Sequence, residues 1–313
     1  MANRNSPAPI DLYRDVWQQT LDNIYDQDSL GDWDSWLHRF DRDIVTVDDA
    51  LHFSRMMLAS TGDHYNKLQT PGQLEDEYVQ EMTAPPTVTA WVLPDGYGYM
   101  KVRTFNDPKA AERMAQGLHT LDRAHSLIVD LRGNTGGFIE QASLAASLFL
   151  ATGDTMVHKM RLTGRGYKTR FHRVLRDSIE IRTRYGASSD FEYEYSERLP
   201  NLAAGRPVVI LVDSVTCSAA EVFPAILVDN KRVHLIGGRT RGKGISQAGF
   251  DTLFGYTLRI TCGRFFPPSG HFLGDDGQRI SNGVVPALYV PDFDGGDDWH
   301  AIEAMRYLDR MAA

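Results

Sequence analysis

Residues 126–137 read SLIVDLRGNTGG. The opening SLIVDL is a short apolar run of the kind that makes a buried strand, RGNTGG is a glycine loop, and FIEQASLAASLFLA, from Phe138 onward, is apolar enough to be a helix packed on a sheet. Strand, loop and helix in that order are the repeating unit of an α/β fold. The unit recurs at PVVILVD (207–213), followed by a loop, a helix from about 218 to 228, and VHLIG (233–237). Two such units feeding one sheet imply parallel pairing. Upstream, Asn106 or Asp107 can cap, and Pro108 can open, a helix that carries Ala111, Met114, Leu118 and Leu121 on one face toward the sheet.

Working outward, residues from about 10 to 82 are expected to be helical. Tyr13, Val16, Trp17, Leu21 and Ile24 recur at helical spacing, and a second helix follows Thr46 with Ala50, Leu51, Met57 and Leu58. The break comes at TAPPT (83–87), where paired prolines stop a helix and VTAWVLPDGYGYMKV then alternates like strands. The expected division is an amino-terminal helical module over 1–82 and an α/β core over 83–313. An insertion or lid at about 155–200 holds nine basic residues between Lys159 and Arg184, then the hairpin-like DFEYEYSER. GFDTLFGYTLRITCG, from Gly249, reads as two strands around a turn, and Trp299, Ile302, Met305 and Leu308 place a helix at the tail.

Composition narrows the function classes. The 313 residues are 42% hydrophobic and 24% charged, which fits about two globular domains and excludes disorder, collagen and miniprotein scaffolds. With only Cys217 and Cys262, at most one disulfide can form. No apolar stretch reaches the length of a membrane span, and MANRNSPAPIDLYRD lacks the apolar core of a signal peptide. As written, the chain reads as cytoplasmic, or as exported if a signal peptide has been removed. The net charge of −8 argues against nucleic-acid binding, and the ten histidines show no HExxH or paired metal spacing, so neither a metal nor a cofactor is expected.

Three turns after strands, two of them glycine-rich, could carry chemistry. GGRTRGKG (237–244) has the spacing of a phosphate loop, but Gly244 replaces the required Ser or Thr, and ISQAGFDTLFGYTL does not look like the helix that should follow. Ser218 stands where a strand gives way to a helix, exposed to the positive end of that helix; the alternative is a simple N-cap. Lys243, in the glycine-flanked loop after the next strand, can return to the same carboxyl edge of the sheet. A serine hydroxyl needs a base, and a lysine, starting from a pKa of ~10.4, serves when desolvation keeps its amine neutral. In DLRGNTGG the amides of Gly136 and Gly137 could cradle an oxyanion, with the amide of Ala219 as second donor. Cys217 has no histidine partner and is expected to be a small buried residue rather than a nucleophile.

Together DLRGNTGG, TCSAAE and GKGISQ resemble the signatures of the carboxyl-terminal processing (tail-specific) serine proteases, and Lys243 lies twenty-five positions after Ser218, as in that family. The resemblance covers roughly 88–155 and 205–291 and implies a crotonase-like (Clp protease-like) α/β core. It makes Ser218 the nucleophile, Lys243 the general base, Gln247 the residue that positions the lysine, and Gly136 and Ala219 the oxyanion donors, with Glu221 and Asp229 in support. LASTGDHYNKLQTP resembles the helical stretch that leads into the family's PDZ domain, which is missing between module and core here. The implied activity is endopeptidase cleavage of a peptide or protein substrate through an acyl-enzyme. Two other activities fit the same residues less directly: the same chemistry on a small ester, thioester or tailored peptide, and non-catalytic retention of a hydrophobic ligand. The intact Ser218, Lys243 and Gln247 set weighs against the second.

Overall fold

A computed structural model describes residues 7–82, 85–164, 166–274, 282–291 and 296–312. In chain order it forms α1 (Pro9–Asn23), α2 (Val47–Ala59), β1 (Lys67–Gln69), α3 (Pro71–Met82), β2 (Val88–Val92), β3 (Tyr97–Val102) and α4 (Ala110–Thr120). Then come β4 (Ser126–Asp130), α5 (Ile139–Ala146), β5 (Gly153–Leu162), β6 (Gly166–Val174), β7 (Ile179–Tyr185) and β8 (Glu192–Ser196). The chain closes with β9 (Val208–Val212), α6 (Ala219–Asp229), β10 (His234–Gly237), β11 (Ile245–Asp251), β12 (Thr257–Phe266), β13 (Leu288–Tyr289) and α7 (Trp299–Ala312). These elements divide into two compact units.

The first unit takes the chain to residue 84 together with 159–168 and 245–264. Burial of Leu12, Tyr13, Val16 and Trp17 on one side of α1 follows from their helical spacing, and that face packs against Ala50, Leu51, Met57 and Leu58 of α2. Thr46 starts α2 with a reciprocal cap: the Asp49 N–H donates to Thr46 Oγ1 at 3.2 Å, and the Thr46 N–H donates to Asp49 Oδ2 at 2.8 Å. Leu258 and Ile260 of β12 complete this core, and β12 pairs antiparallel with both β1 and β11.

The second unit holds a six-stranded sheet in the order β13-β10-β9-β4-β3-β2. Every pairing from β3 to β13 is parallel, and only β2, at the edge, runs antiparallel. Each residue of β4 and β9 is buried, which is why SLIVD and VVILV are continuous apolar runs rather than alternating ones. Helices α4, α5 and α6 contribute to the core on one side, and Ala304 and Leu308 of α7 pack with Ile128, Val209 and Leu211 in a separate cluster. The parallel α/β reading of the sequence is therefore what the chain adopts. Within 155–200 the chain forms strands, with β7 and β8 antiparallel and β8 exposed throughout.

Three local details differ from, or sharpen, the sequence reading. Helix α4 begins at Ala110, with Lys109 at its N-cap, because Asp107 first closes a turn: its Oδ1 accepts from the Lys109 N–H at 2.8 Å and its carbonyl from the Ala110 N–H at 3.0 Å. Pro108 thus lies before the helix. Pro224 is tolerated inside α6, which continues to Asp229. Thr83 and Ala84 of the TAPPT break lie outside the described residues, and only residues 83–87 separate α3 from β2. Among the described residues no helix is long and apolar enough to cross a membrane.

Candidate active site

At the carboxyl end of β9 the chain turns sharply into α6, and Ser218 sits on that turn at φ 57°, ψ −124°. A non-glycine residue at positive φ is strained by about 1–3 kcal/mol and persists only where its surroundings hold it. Here they do. The preceding Cys217 N–H donates to the Asn134 carbonyl at 2.9 Å, and the Ser218 N–H donates to Glu221 Oε2 at 2.8 Å. The Ser218 hydroxyl makes no capping bond, so the N-cap alternative does not describe what this side chain does.

Glu221 is fully buried and is the hub of the site. Its Oε2 accepts from the N–H groups of Ser218 and Lys243, both at 2.8 Å, and its Oε1 accepts from Thr240 Oγ1 at 2.5 Å and the Gly242 N–H at 2.6 Å. One carboxylate thus ties the backbone of the serine turn to the backbone of the lysine loop. Burial pushes its pKa above the ordinary carboxylate value, against the opposing pull of those four bonds. Thr240 is fixed from the other side by the Val284 N–H, which donates to its Oγ1 at 2.7 Å. GGRTRGKG leads into the strand β11 rather than a helix, in keeping with its failure as a phosphate loop.

The DLRGNTGG loop meets the turn through Gly136. A Cβ at that position would stand 2.7 Å from the Cys217 carbonyl oxygen, 2.8 Å from Ser218 Cβ and 2.9 Å from the Ala219 nitrogen, at φ 95°, so only glycine fits. The Gly136 amide, expected as an oxyanion donor, has an acceptor within its own loop. Its N–H is already donated to Asn134 Oδ1 at 2.9 Å, because the buried asparagine folds back over its own loop. Asn134 also donates from Nδ2 to the Val102 carbonyl at 3.0 Å. The Ala219 N–H and the Gly137 N–H have no hydrogen-bond acceptor among the described residues.

Two further expected residues have bonds of their own. Asp229 ends α6, ten residues beyond Ala219 and about 15 Å away at 1.5 Å per residue, where its Oδ2 accepts from the Ser269 N–H at 2.8 Å. A supporting role for it at Ser218 is therefore corrected: the helix is too long. Gln247 lies in β11 of the first unit, donating from Nε2 to the Tyr65 carbonyl at 2.8 Å. Cys217 is buried, and desolvation pushes its thiol up to about 11, which keeps it protonated and unreactive. Among the described residues no group of three His, Cys, Asp or Glu side chains could hold a metal ion. Sequence reading missed Asn134 and Thr240 as parts of the site. The only signal for the first was its place inside the glycine motif.

With this geometry in hand, the profile of peptidase family S41 matches residues 96–286, well over half of the chain. The chain belongs to peptidase family S41. It is 27% identical over 173 residues to carboxyl-terminal-processing peptidase 1 of Arabidopsis thaliana, covering 55% of this chain and 30% of that protein. It is 25% identical over 195 residues to the carboxy-terminal processing protease CtpA of Bacillus subtilis, covering 62% and 36%. The chain spans between 28% and 41% of the length of the curated relatives it matches. By fold it is similar to the photosystem II D1 C-terminal processing protease, with a TM-score of 0.65 and 16% identity over 91% of this chain and 94% of that one. It is equally similar to a lipoprotein from Streptococcus agalactiae, with a TM-score of 0.66 and 12% identity over 99% of both chains.

Proposed function

We propose that this S41 chain is a serine endopeptidase in which Ser218 and Lys243 form the catalytic dyad. The observation that carries the proposal is the Glu221 carboxylate, which accepts from the N–H groups of both residues and so joins the strained serine turn to the lysine loop in one site. Ser218 Oγ, free of any capping bond, attacks a substrate carbonyl while the neutral amine of Lys243 takes its proton. The tetrahedral oxyanion is met by the Ala219 N–H and by an N–H of the Gly136–Gly137 turn, the first of which must leave Asn134 to take part. Collapse releases the amine with the proton returned by Lys243, and water then hydrolyses the acyl-enzyme. Gln247 is assigned to orient the lysine. The substrate is a polypeptide, as the family implies.

Ser218→Ala and Lys243→Ala test the dyad on an unfolded protein substrate, with fluorophosphonate labelling of Ser218 as a second readout. Each replacement should lower cleavage by about a thousandfold or more. Parental rates in both would overturn the mechanism. A second reading, hydrolysis or transfer on a small ester, thioester or tailored peptide, is favoured by one observation: the connection 83–87 leaves no room between α3 and β2 for a domain that captures long substrates. Labelling of Ser218 without cleavage of any polypeptide would select it.

A further inference from the structure

In the second unit, β2 ends the six-stranded sheet and, among the described residues, pairs only with β3. The Leu93 N–H donates to the Tyr97 carbonyl at 2.8 Å, and the Arg103 N–H to the Thr87 carbonyl at 2.9 Å, so the odd-numbered residues exchange bonds with β3. The alternation of an antiparallel ladder then turns the N–H and C=O groups of Val88, Ala90 and Val92 away from the sheet, along an open edge. On the face of the sheet that α7 borders, a cavity of about 480 Å³ is lined by Trp91, Leu93, Tyr99, Lys101, Asp297 and Met305, among others. One face of the Trp91 ring stacks on Tyr99, with centroids 4.7 Å apart, and the residue remains 44% exposed.

The charges of this cavity do not cancel. Lys101 is held by Asp130 at 3.0 Å and by the Arg132 carbonyl at 2.7 Å, and Arg132 is held by Asp130 and Asp298. Asp297 has no ion pair or side-chain hydrogen bond among the described residues. An exposed aromatic face beside an uncompensated carboxylate is suited to a cationic side chain.

We propose that the outer edge of β2 is a docking groove for an extended segment of the substrate polypeptide that carries an apolar side chain and, two positions away, a lysine or arginine. This rests on the endopeptidase reading. The segment adds as a strand to Val88, Ala90 and Val92, and its alternate side chains fall on the face of Trp91 and Leu93. The basic side chain lies over Trp91 and reaches Asp297, and the apolar one lies beside Leu93. Strand β2 is three strands from β9, about 14 Å at 4.8 Å per strand, so the groove holds substrate away from the bond being cut. Val88 pairs with Val102, and Lys101 pairs with Asp130, so one end of the docked segment points to the sheet edge from which Ser218 follows β9.

The test is binding to the full chain carrying Ser218→Ala, followed by anisotropy of a fluorescein-labelled, capped peptide that alternates threonine with a leucine and an arginine two positions apart. Saturable binding is expected, weakened about fivefold or more by Trp91→Ala and by Asp297→Asn and lost when glutamate replaces the peptide's arginine. Peptides N-methylated on alternate amides give the register: one frame should abolish binding and the other preserve it. Absence of saturable binding, undiminished binding to Asp297→Asn, or indifference to both methylation frames would each overturn the proposal. Should Trp91→Ala not fold, the methylated peptides and Asp297→Asn still decide. Fluorophosphonate labelling of Ser218 in the Asp297→Asn chain is expected to be unchanged, so failure of the groove is separable from failure of the dyad.

Discussion

Glu221→Gln is the sharpest perturbation of the proposed site. Glutamine is nearly isosteric but keeps a single acceptor oxygen, whereas the glutamate accepts four bonds, from the Ser218, Gly242 and Lys243 N–H groups and Thr240 Oγ1. Whichever way the amide faces, its NH2 confronts donors that are buried with it. Losing two charge-assisted bonds at about 1.5–3 kcal/mol each costs about 3–6 kcal/mol. Relief from burying a charge returns part of this, leaving a net destabilisation of about 2–4 kcal/mol. Denaturant unfolding measures that loss. If about 2.7 kcal/mol of it falls on the reactive arrangement, fluorophosphonate labelling of Ser218 slows about a hundredfold. The pH dependence gives a second signature. Burial raises the Glu221 pKa in the folded state, so the folded protein holds this proton more tightly than the unfolded chain, and the group's contribution to stability rises as pH falls through the raised value. Labelling should move the other way, falling as protonation removes an acceptor from the Ser218 and Lys243 amides. Unchanged unfolding midpoint and labelling within about threefold of the parent would refute the hub.

Other perturbations follow from the same packing. Gly136→Ala places a Cβ against Cys217, Ser218 and Ala219 at φ 95°, and should abolish Ser218 labelling while circular dichroism shows the fold retained. Asp130 is buried, which pushes its carboxyl up, but the bonds and charge of Arg132, Lys101 and Tyr99 outweigh burial and hold it below the ordinary value. Its stabilisation is therefore present above the unfolded pKa and lost as pH falls through the folded one; Asp130→Asn should cost about 3–5 kcal/mol at neutral pH and flatten the acid limb of a stability–pH curve. Lys231 occupies φ 55° in the turn that ends α6, where its N–H donates to the Val228 carbonyl and the Arg232 N–H to the Leu227 carbonyl, both at 2.8 Å. Lys231→Gly should stabilise by about 0.5–1 kcal/mol in thermal unfolding, since only the left-handed strain is removed.

What could be read from sequence was what is local. SLIVD and VVILV declared parallel strands because burial on both faces forces a continuous apolar run, and Thr46 declared the start of α2 because its cap partner, Asp49, is three residues on. The start of α4 was misplaced because Asp107 spends its side chain and carbonyl on a turn that uses the same residue types as a cap. Long-range bonding left no such trace. Asn134 meets Cys217 across 83 positions, and Thr240 meets Glu221 across 19. Neither has a distinctive neighbour in sequence. Nor does any periodicity announce that 159–168 and 245–264 pack with the amino-terminal helices, since helical or strand spacing reports a face and not its partner.

The serine turn shows why such distant bonds matter to chemistry. A serine left to its own conformational preferences at a helix start would cap the helix, and its hydroxyl would be occupied by a backbone N–H. At φ 57° the side chain is carried out of capping position, and the helix start is compensated instead by Glu221, which accepts the Ser218 N–H. The strain of about 1–3 kcal/mol is sustained only because Asn134 holds the Cys217 N–H and the space beside Ser218 is filled by a glycine that cannot push back. Asn134 at the same time occupies the Gly136 N–H, so the residue that braces the turn also withholds a donor from the oxyanion. Replacing Asn134 with alanine keeps the carbonyl that holds the Cys217 N–H, but it frees the Gly136 N–H and removes the Nδ2 bond to the Val102 carbonyl, loosening the loop that carries the brace. If the brace outweighs the restraint, the variant's labelling rate falls with its stability; a faster rate in a less stable chain would show that release of the Gly136 amide is the slower step.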